Sequence, residues 1–193
     1  PGPSSSNPFE FIDLGNGKAL FSAKPSNSGW RVFVSDGTKS GTIELSAFPS
    51  RVSLVGSLEG ETYVRLIGTD QIWRTDGSAA GTALVSNNLR VQESFVFNDR
   101  LYISAAVPTS NNQDDYELWA FDGTAFEVFA SIDGTKPQGS LNVPAGLSPH
   151  GFMQIDESRF LFAGYTTNTA SQRGIWVSDG TQEGTSVLLE ESN

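Results

Sequence analysis

Four segments of this chain repeat one pattern, in which an aspartate is followed by a glycine and then by a serine or threonine. The clearest copy reads Trp-Val-Ser-Asp-Gly-Thr-Gln-Glu-Gly-Thr and spans residues 176–185. The aspartates of the four copies are Asp36, Asp76, Asp122 and Asp179. A large aromatic residue stands three positions before each aspartate, and an aliphatic residue stands four positions before it. A pattern that is kept four times is typical of a repeat protein.

The spacing of the repeats indicates the fold class. The four aspartates lie 40, 46 and 57 residues apart, and glycine and aromatic residues are plentiful. Repeats of about 40–50 residues that hold several short strands are typical of β-propellers. We therefore predict an all-β chain that forms a β-propeller of four blades, each with four antiparallel strands named A to D. The alternative is half of an eight-bladed ring, completed by a second copy or by further sequence.

The same alignment gives the domain boundaries. A single propeller domain is predicted over residues 9–193, with blades at about 9–47, 51–86, 90–131 and 147–190. Residues 1–8 contain mostly Pro, Gly and Ser, so they are predicted to be a linker remnant.

The C strands indicate how the blades pack. Neighbouring residues such as Leu118 and Trp119 are both apolar, although neighbours in a strand point to opposite faces. Both faces of such a strand must be covered, as happens when blades stack side by side. On this argument Trp73, Trp119 and Trp176 belong to the core.

The Asp-Gly-Thr element predicts a turn between strands C and D. An aspartate side chain can accept a hydrogen bond from the backbone N–H two residues on, and glycine adopts positive φ without a steric penalty. Three copies continue into a second Gly-Thr, whereas the third goes from Asp122 and Gly123 directly into Thr124 and Ala125. There Asp-Gly is predicted to form a two-residue hairpin turn. We interpret all four aspartates as structural residues and not as metal ligands.

The composition excludes several classes of function. The formal charge is −10, from 22 acidic and 12 basic residues, so nucleic acids and anionic membranes are unsuited as partners. The chain has no cysteine, which excludes disulfides, thiol catalysis and cysteine-ligated zinc. No run of 18 apolar residues is present, so membrane insertion is not expected. No cofactor is predicted, and calcium is the one ion considered.

A family resemblance is visible around the third and fourth aspartates. Residues 116–119 (Tyr-Glu-Leu-Trp) with 122–124 (Asp-Gly-Thr), and residues 175–185, resemble the Glu-Leu-Trp-x-x-Asp-Gly-Thr-x-x-Gly-Thr repeats of large bacterial proteins. Those repeats are similar to kelch-type propeller blades. The resemblance covers residues 9–190 and implies a propeller in a secreted or surface-attached protein, outside the cell. It implies little about activity, and Phe33 stands where the family has tryptophan.

Loop lengths indicate the side on which a site would lie. In this strand order the A–B and C–D loops share one side of the propeller, and the B–C and D–A loops share the other. The B–C loop is short in repeat two but extends over 108–115 in repeat three and 166–173 in repeat four, and the last D–A link spans 133–150. Loops that lengthen on one side of a rigid scaffold commonly carry binding. We therefore place a ligand site on the B–C/D–A side, near blades three and four.

Eight residues on that side are the candidate ligand-binding residues: Trp30, Asn111, Asn112, Asp114, Asp115, His150, Asn168 and Arg173. The cluster within 111–115 offers oxygen ligands to calcium, but its spacing matches no calcium-loop motif and also suits a solvated acidic loop. His150, the only histidine, is either part of a site or an ordinary loop residue. Trp30 could stack on a sugar ring or cover the end of a blade.

No catalytic motif is present: the chain lacks a phosphate-binding loop, a nucleophile elbow and a metalloprotease signature. We therefore expect a non-catalytic binding or adhesion module for a glycan or a surface protein. The alternative is a structural spacer or oligomerisation domain, which self-associates through uncovered blade faces. A glycosidase or lyase, built from carboxylates on different loops, is the third hypothesis.

Overall fold

The computed structural model describes residues 6–25, 29–108, 114–130, 146–166 and 173–190. These residues form sixteen β-strands and no helix, so the predicted all-β class is confirmed. Within the same ranges, no helix is long and apolar enough to cross a membrane. The strands form four antiparallel sheets of four strands each. Their order in each sheet follows the chain, as strands A to D of the repeats predict.

The chain divides into two compact units, residues 1–87 and residues 88–193, and the boundary lies between the second and third repeats. In the first unit, sheet 1 contains β1 (Phe9–Asp13), β2 (Ala19–Ala23), β3 (Arg31–Ser35) and β4 (Ile43–Glu44). Sheet 2 contains β5 (Val52–Leu58), β6 (Glu61–Leu66), β7 (Ile72–Thr75) and β8 (Ala83–Ser86). In the second unit, sheet 3 contains β9 (Arg90–Phe97), β10 (Arg100–Ala106), β11 (Glu117–Phe121) and β12 (Phe126–Ala130). Sheet 4 contains β13 (His150–Asp156), β14 (Arg159–Tyr165), β15 (Arg173–Ser178) and β16 (Ser186–Glu190).

Strand β4 departs from its predicted length. The pattern predicts strand D of repeat one over residues 42–47, but the strand contains two residues. The backbone N–H of Leu45 still bonds to the Val32 carbonyl at 2.8 Å, and the N–H of Phe48 then bonds to the Leu45 carbonyl at 3.4 Å and closes a turn. This turn carries Leu45 and Phe48 into the core, where both are buried. Burial of these two side chains therefore ends the strand early.

Each sheet has two apolar faces, and the two faces have different partners. We term the face that carries the aromatic residue of the motif the aromatic face, and the opposite face the aliphatic face. In the first unit, Leu20 and Val32 on the aliphatic face of sheet 1 share one buried cluster with Val64 of sheet 2. Trp73, on the aromatic face of sheet 2, packs against the same cluster.

The second unit repeats this arrangement. Tyr102 and Leu118 on the aliphatic face of sheet 3 share a cluster with Phe160 and Phe162 of sheet 4. Trp176, on the aromatic face of sheet 4, packs against that cluster. In each unit, the aliphatic face of the earlier sheet therefore receives the aromatic face of the later sheet. The first strands of the two sheets also touch, β1 with β5 and β9 with β13.

Trp73 and Trp176 pack against the core, and all three motif tryptophans are half-buried. Leu118, the aliphatic neighbour of Trp119, is fully buried, as predicted for a C strand. The indole N–H of Trp119 donates to the Ala105 carbonyl at 2.9 Å, and that of Trp73 donates to the Gln71 side chain at 3.0 Å. An indole ring brings a polar group that needs such a partner. The predicted core position is therefore confirmed for Trp73 and Trp176, whose rings pack against buried clusters.

The Asp-Gly-Thr turns have the predicted aspartate bond and glycine conformation. The two-residue hairpin turn predicted for repeat three is wrong, because β11 and β12 pair last at Phe121 and Phe126 and leave residues 122–125 in the loop. In all four, the aspartate Oδ1 accepts the backbone N–H two residues on at 2.7–2.9 Å. The following glycine has φ between 86° and 96° in each turn. The Thr124 hydroxyl and the Thr124 and Ala125 backbone N–H groups lower the pKa of Asp122 to about 2. The bond from Ala125, at 3.2 Å, occupies the aspartate where repeat three lacks the second Gly-Thr.

The second glycine of the motif is required by space. In the three long loops the backbone N–H of this glycine donates to the hydroxyl of the Thr or Ser three positions before it, at 2.9 Å. A Cβ atom at Gly41, Gly81 or Gly184 would overlap the carboxylate of the motif aspartate. The repeated Gly-Thr therefore marks a loop that folds back onto its own aspartate.

A glutamate links the two sheets of each unit. The Glu10 carboxylate in β1 accepts the Ser53 hydroxyl at 2.7 Å and the Leu54 N–H at 3.0 Å. The Glu93 carboxylate in β9 accepts the Gly151 N–H at 3.0 Å and the Phe152 N–H at 3.4 Å. In both units the glutamate therefore accepts hydrogen bonds from the backbone of the first strand of the next sheet. These bonds lie where the register of that first strand shifts against its neighbour, in β5 and in β13.

Candidate binding site

A pocket of about 270 Å³ lies at the end of sheet 4. It is formed by the first residues of β13 and β15 and the last residues of β14 and β16, which is the B–C/D–A end of the fourth repeat. The residues that line it include His150, Ala163, Arg173, Ile175, Leu189 and Glu190.

Strand pairing brings these residues together from four separate segments. His150 is paired with Ala163 across β13 and β14, and Ile175 is paired with Leu189 across β15 and β16. Paired residues in antiparallel strands present their side chains on the same face. The pocket therefore opens on the aliphatic face of sheet 4, the face that carries Ile175.

The wall of the pocket is apolar and partly exposed. Leu189 is 64% exposed, and Met153, on the same face, is 55% exposed. Ala163 and Ile175 are half-buried. Apolar side chains that remain this open, next to one another, are typical of a surface that binds another apolar group.

The rim of the pocket is polar. The Arg173 guanidinium donates to the Tyr165 hydroxyl at 3.0 Å and lies 5.0 Å from the centroid of the same ring. The His150 Nδ1 lies 2.9 Å from the Ser148 carbonyl oxygen. Because a carbonyl only accepts, Nδ1 carries the proton in the neutral ring and Nε2 is an acceptor. The rim thus places the Arg173 guanidinium and the His150 ring beside the apolar wall.

Two of the eight candidate residues, His150 and Arg173, therefore line one pocket. Three others, Asn111, Asn112 and Asn168, lie outside the described residues.

Asp114 and Asp115 are placed elsewhere in the second unit. The Asp114 carboxylate forms an ion pair with Arg90 at the start of β9. Asp115 lies against Gly146, because a Cβ atom there would overlap the Asp115 carboxylate. Within the described ranges, no group of three or more His, Asp or Glu residues is arranged to hold a metal ion.

Trp30 belongs to the first unit, and its ring is already in contact with other side chains. It packs edge-on against Phe9, with ring centroids 6.2 Å apart. The Arg51 guanidinium lies 5.2 Å from the Trp30 ring and 5.3 Å from the Phe9 ring. Of the two interpretations of Trp30, this arrangement favours covering the end of the sheet over an open platform for a sugar.

Glu117 is a residue that the search for a site missed. Its side chain is buried, at 1% exposure, and it accepts the Leu147 N–H at 3.4 Å. The Tyr165 N–H donates to the carbonyl of the same leucine at 2.8 Å. Glu117 thus helps to fix the end of the link that enters sheet 4 near His150. A carboxylate inside the apolar C strand, at Glu117-Leu118-Trp119, was the signal in the sequence.

No protein-family model matches this chain, and no curated protein matches it. The resemblance to the Glu-Leu-Trp-x-x-Asp-Gly-Thr repeats therefore stays a prediction, supported by the four motif copies and their turns.

Proposed function

We propose that the four sheets are consecutive blades of a β-propeller, and that the chain is an extracellular, non-catalytic module that binds a protein. The binding surface is the aliphatic face of sheet 4, with the pocket of about 270 Å³ at its B–C/D–A end. The extracellular location is proposed from the family resemblance alone.

The observation that carries the proposal is that His150 and Arg173 line the same pocket, beside an apolar wall. The loop lengths of repeats three and four predict both residues on this side of the sheet. A protein segment with an apolar side chain would fill the space beside Ile175 and Leu189, and a nearby carboxylate or carbonyl would bond to Arg173. This combination of one apolar anchor and a polar rim is typical of protein recognition.

A protein is favoured over a glycan by the state of the aromatic rings. Stacking on a sugar needs an open ring face, but the Trp30 ring is in contact with Phe9 and Arg51. The Tyr165 ring at the pocket rim faces the Arg173 guanidinium. The exposed surface of the pocket is contributed instead by aliphatic side chains such as Leu189.

Selection of a phage-displayed peptide library on the immobilised chain tests this proposal, with a glycan array run in parallel. Recovered peptides should share an apolar residue and should lose at least about tenfold in affinity for Leu189→Asp and for Arg173→Ala, because a tenfold change needs only about 1.4 kcal/mol. The matched control is Leu84→Asp, which changes an exposed leucine of strand D in sheet 2. Peptides that bind Leu189→Asp as well as the parent chain would refute the protein-binding surface. Glycan signals that are lost in Arg173→Ala would replace it by the glycan hypothesis.

A structural or oligomerisation role is the second candidate, and one specific observation favours it. Sheet 1 leaves its aromatic face exposed, with Phe11 at 67% exposure. Exposed aromatic ladders of this kind are typical of surfaces that pack against another protein.

A further inference from the structure

The aromatic face of sheet 1 is a stacked ladder of three phenylalanines. The ring centroids of Phe11 and Phe21 are 5.2 Å apart, and those of Phe21 and Phe33 are 5.6 Å apart. Strand pairing aligns the three residues across β1, β2 and β3. Phe21 and Phe33 remain half-buried and Phe11 is largely exposed.

The equivalent ladder is covered elsewhere in the chain. Phe162 and Trp176 in sheet 4 stand at the positions of Phe21 and Phe33, since each pair is aligned across strands B and C. Phe162 is 1% exposed, because the aliphatic face of sheet 3 covers it. Val64, at the same position in sheet 2, is fully buried against the aliphatic face of sheet 1. An aromatic face is therefore a surface that packs on the aliphatic face of another repeat.

The aliphatic face of sheet 4 shows the complementary difference. Ile175 and Val177 stand at the positions of Leu118 and Ala120 in sheet 3, which are both fully buried. Ile175 and Val177 are only half-buried, and Leu189 beside them is open. The described residues thus present an uncovered aromatic face on sheet 1 and an uncovered aliphatic face on sheet 4.

On the covered aliphatic faces of sheets 1 and 3, one apolar residue from the segment that leads into the next sheet also packs. Phe48 packs edge-on against Trp73, with centroids 5.5 Å apart, and it lies in the cluster that contains Val32. Leu147 is fully buried in the cluster that contains Leu118. The position on sheet 4 equivalent to Leu118 is Ile175, which lines the open pocket. The pocket therefore lies where an apolar side chain of a further repeat would pack.

We propose that the protein ligand of sheet 4 is a second copy of this chain, whose Phe11–Phe21–Phe33 ladder packs on the Ile175–Val177–Leu189 face. The proposal rests on the proposed function, because it uses the same binding surface and names its partner. Each contact of this kind joins two different surfaces, so it is head-to-tail. Head-to-tail contacts either close into a ring or continue as an open chain, and a pair with two identical contacts is the smallest closed form.

A second copy is the occupant that the chain itself specifies. Both complementary faces are present on one chain, and the same pairing of faces holds sheets 1 and 2 together and sheets 3 and 4 together. Strand spacing of about 4.8 Å and a rise of about 3.3 Å per residue give a four-strand face a projected area on the order of 300 Å². One such contact is small beside a standard interface, which buries about 800 Å² per partner. A pair that uses both contacts is therefore expected to be much more stable than a single contact.

The charge of the chain gives the association a characteristic salt dependence. Two copies of net charge −10 repel each other, whereas the faces that meet are apolar. At 0.1 M salt, repulsion between exposed charges more than about 10 Å apart is largely screened, whereas the apolar contact is left intact. Association is therefore expected to strengthen as salt is added, which is opposite to a complex held by ion pairs.

Sedimentation velocity on the full chain and on two charge variants tests the proposal. Phe11→Glu introduces a charge on the aromatic face of sheet 1, and Leu189→Glu introduces one on the aliphatic face of sheet 4. Each variant alone should associate at least about tenfold more weakly than the parent chain, because a buried charge without a partner is costly. An equimolar mixture of the two variants keeps one intact contact and should associate more strongly than either variant alone, though more weakly than the parent chain. Ile43→Glu and Leu84→Glu are the matched controls, since both residues are exposed and lie off these two surfaces.

The outcomes separate this inference from the proposed function. If the parent chain remains a monomer at high concentration and high salt, the proposal that the partner is a second copy is overturned. If apolar peptides still bind to sheet 4 in that case, the proposed protein-binding function stands. Variants that associate like the parent, or a mixture that associates no more strongly than either variant alone, also overturn the head-to-tail contact. Circular dichroism spectra that match the parent show that the variants are folded.

Discussion

Gly37 and Gly77 form a matched pair that measures the packing between sheets 1 and 2. Both follow the motif aspartate, and both have φ of 86°. A Cβ atom at Gly37 would meet nothing within 4 Å, whereas one at Gly77 would lie 2.6 Å from Leu14 Cδ1 and 3.3 Å from Val34 Cγ1. Leu14 and Val34 are both buried in the core of the first unit. The two substitutions to alanine therefore share the backbone cost and differ in the steric cost.

The magnitudes follow from these contacts. An alanine with left-handed backbone angles costs about 1–2 kcal/mol, so Gly37→Ala should lower the free energy of unfolding by that amount. Gly77→Ala adds an overpacked contact, which typically costs a further 1–3 kcal/mol or so. Each kcal/mol lowers Tm by roughly 4–8 °C in a unit of 60–100 residues. Gly77→Ala should therefore melt well below Gly37→Ala.

Thermal and urea denaturation of the full chain provide the comparison. Both glycines lie in the unit formed by residues 1–87, so both substitutions affect the same transition. Equal losses of stability for the two variants would refute the packing of the sheet 2 turn on sheet 1. Gly180→Ala and Gly123→Ala repeat the test in the second unit, where the Cβ atom at Gly180 would lie 3.2 Å from the Tyr102 hydroxyl and the one at Gly123 would meet nothing within 4 Å.

Three further predictions concern acidic side chains. The pKa of Asp122 is about 2 in the folded chain, against an ordinary value of 3.8. Because folding lowers this pKa, the carboxylate contributes stability that is complete at pH values above the ordinary pKa and is lost as the pH falls from about 4 to about 2. The Tm measured against pH should therefore fall in that window, and it should fall less steeply in Asp122→Asn. Glu93→Ala leaves backbone donors of β13 without their acceptor and should cost about 1–3 kcal/mol in urea denaturation, while an unchanged midpoint would contradict the link between sheets 3 and 4. Gly184→Ala should displace the Asp179 carboxylate, so the amide chemical shift of Thr181 should move; an unchanged spectrum would argue against the contact between the second glycine and the aspartate.

The regular part of the fold was predictable because each repeat carries its own local signals. The Asp-Gly turn fixes where β7 ends, and the adjacent apolar pair Leu118 and Trp119 predicts a strand with two covered faces. The loop that folds back at Gly184 follows from the same motif. These signals lie within a few residues of the structure that they determine.

The departures from prediction depend on contacts between distant residues. Strand β4 is short because Phe48 turns into a core that includes Val64. Trp30 is covered by Arg51, and the spacing of these two residues in the sequence gives no sign of this contact. The pocket draws on four strands, so His150 and Arg173 could be placed at one end of a repeat but not against a common apolar wall. Tertiary packing decided each of these features.

Cross-linking between two introduced cysteines tests whether a second copy packs on sheet 4. The chain has no cysteine, so a variant with Phe11→Cys and Leu189→Cys reacts with a bifunctional maleimide only at the two faces. The linker is expected to join two chains. Mass analysis should then show peptides that contain position 11 of one chain linked to peptides that contain position 189 of an isotopically labelled copy. Cross-links confined to a single chain, or none at all, would contradict packing of a second copy on sheet 4.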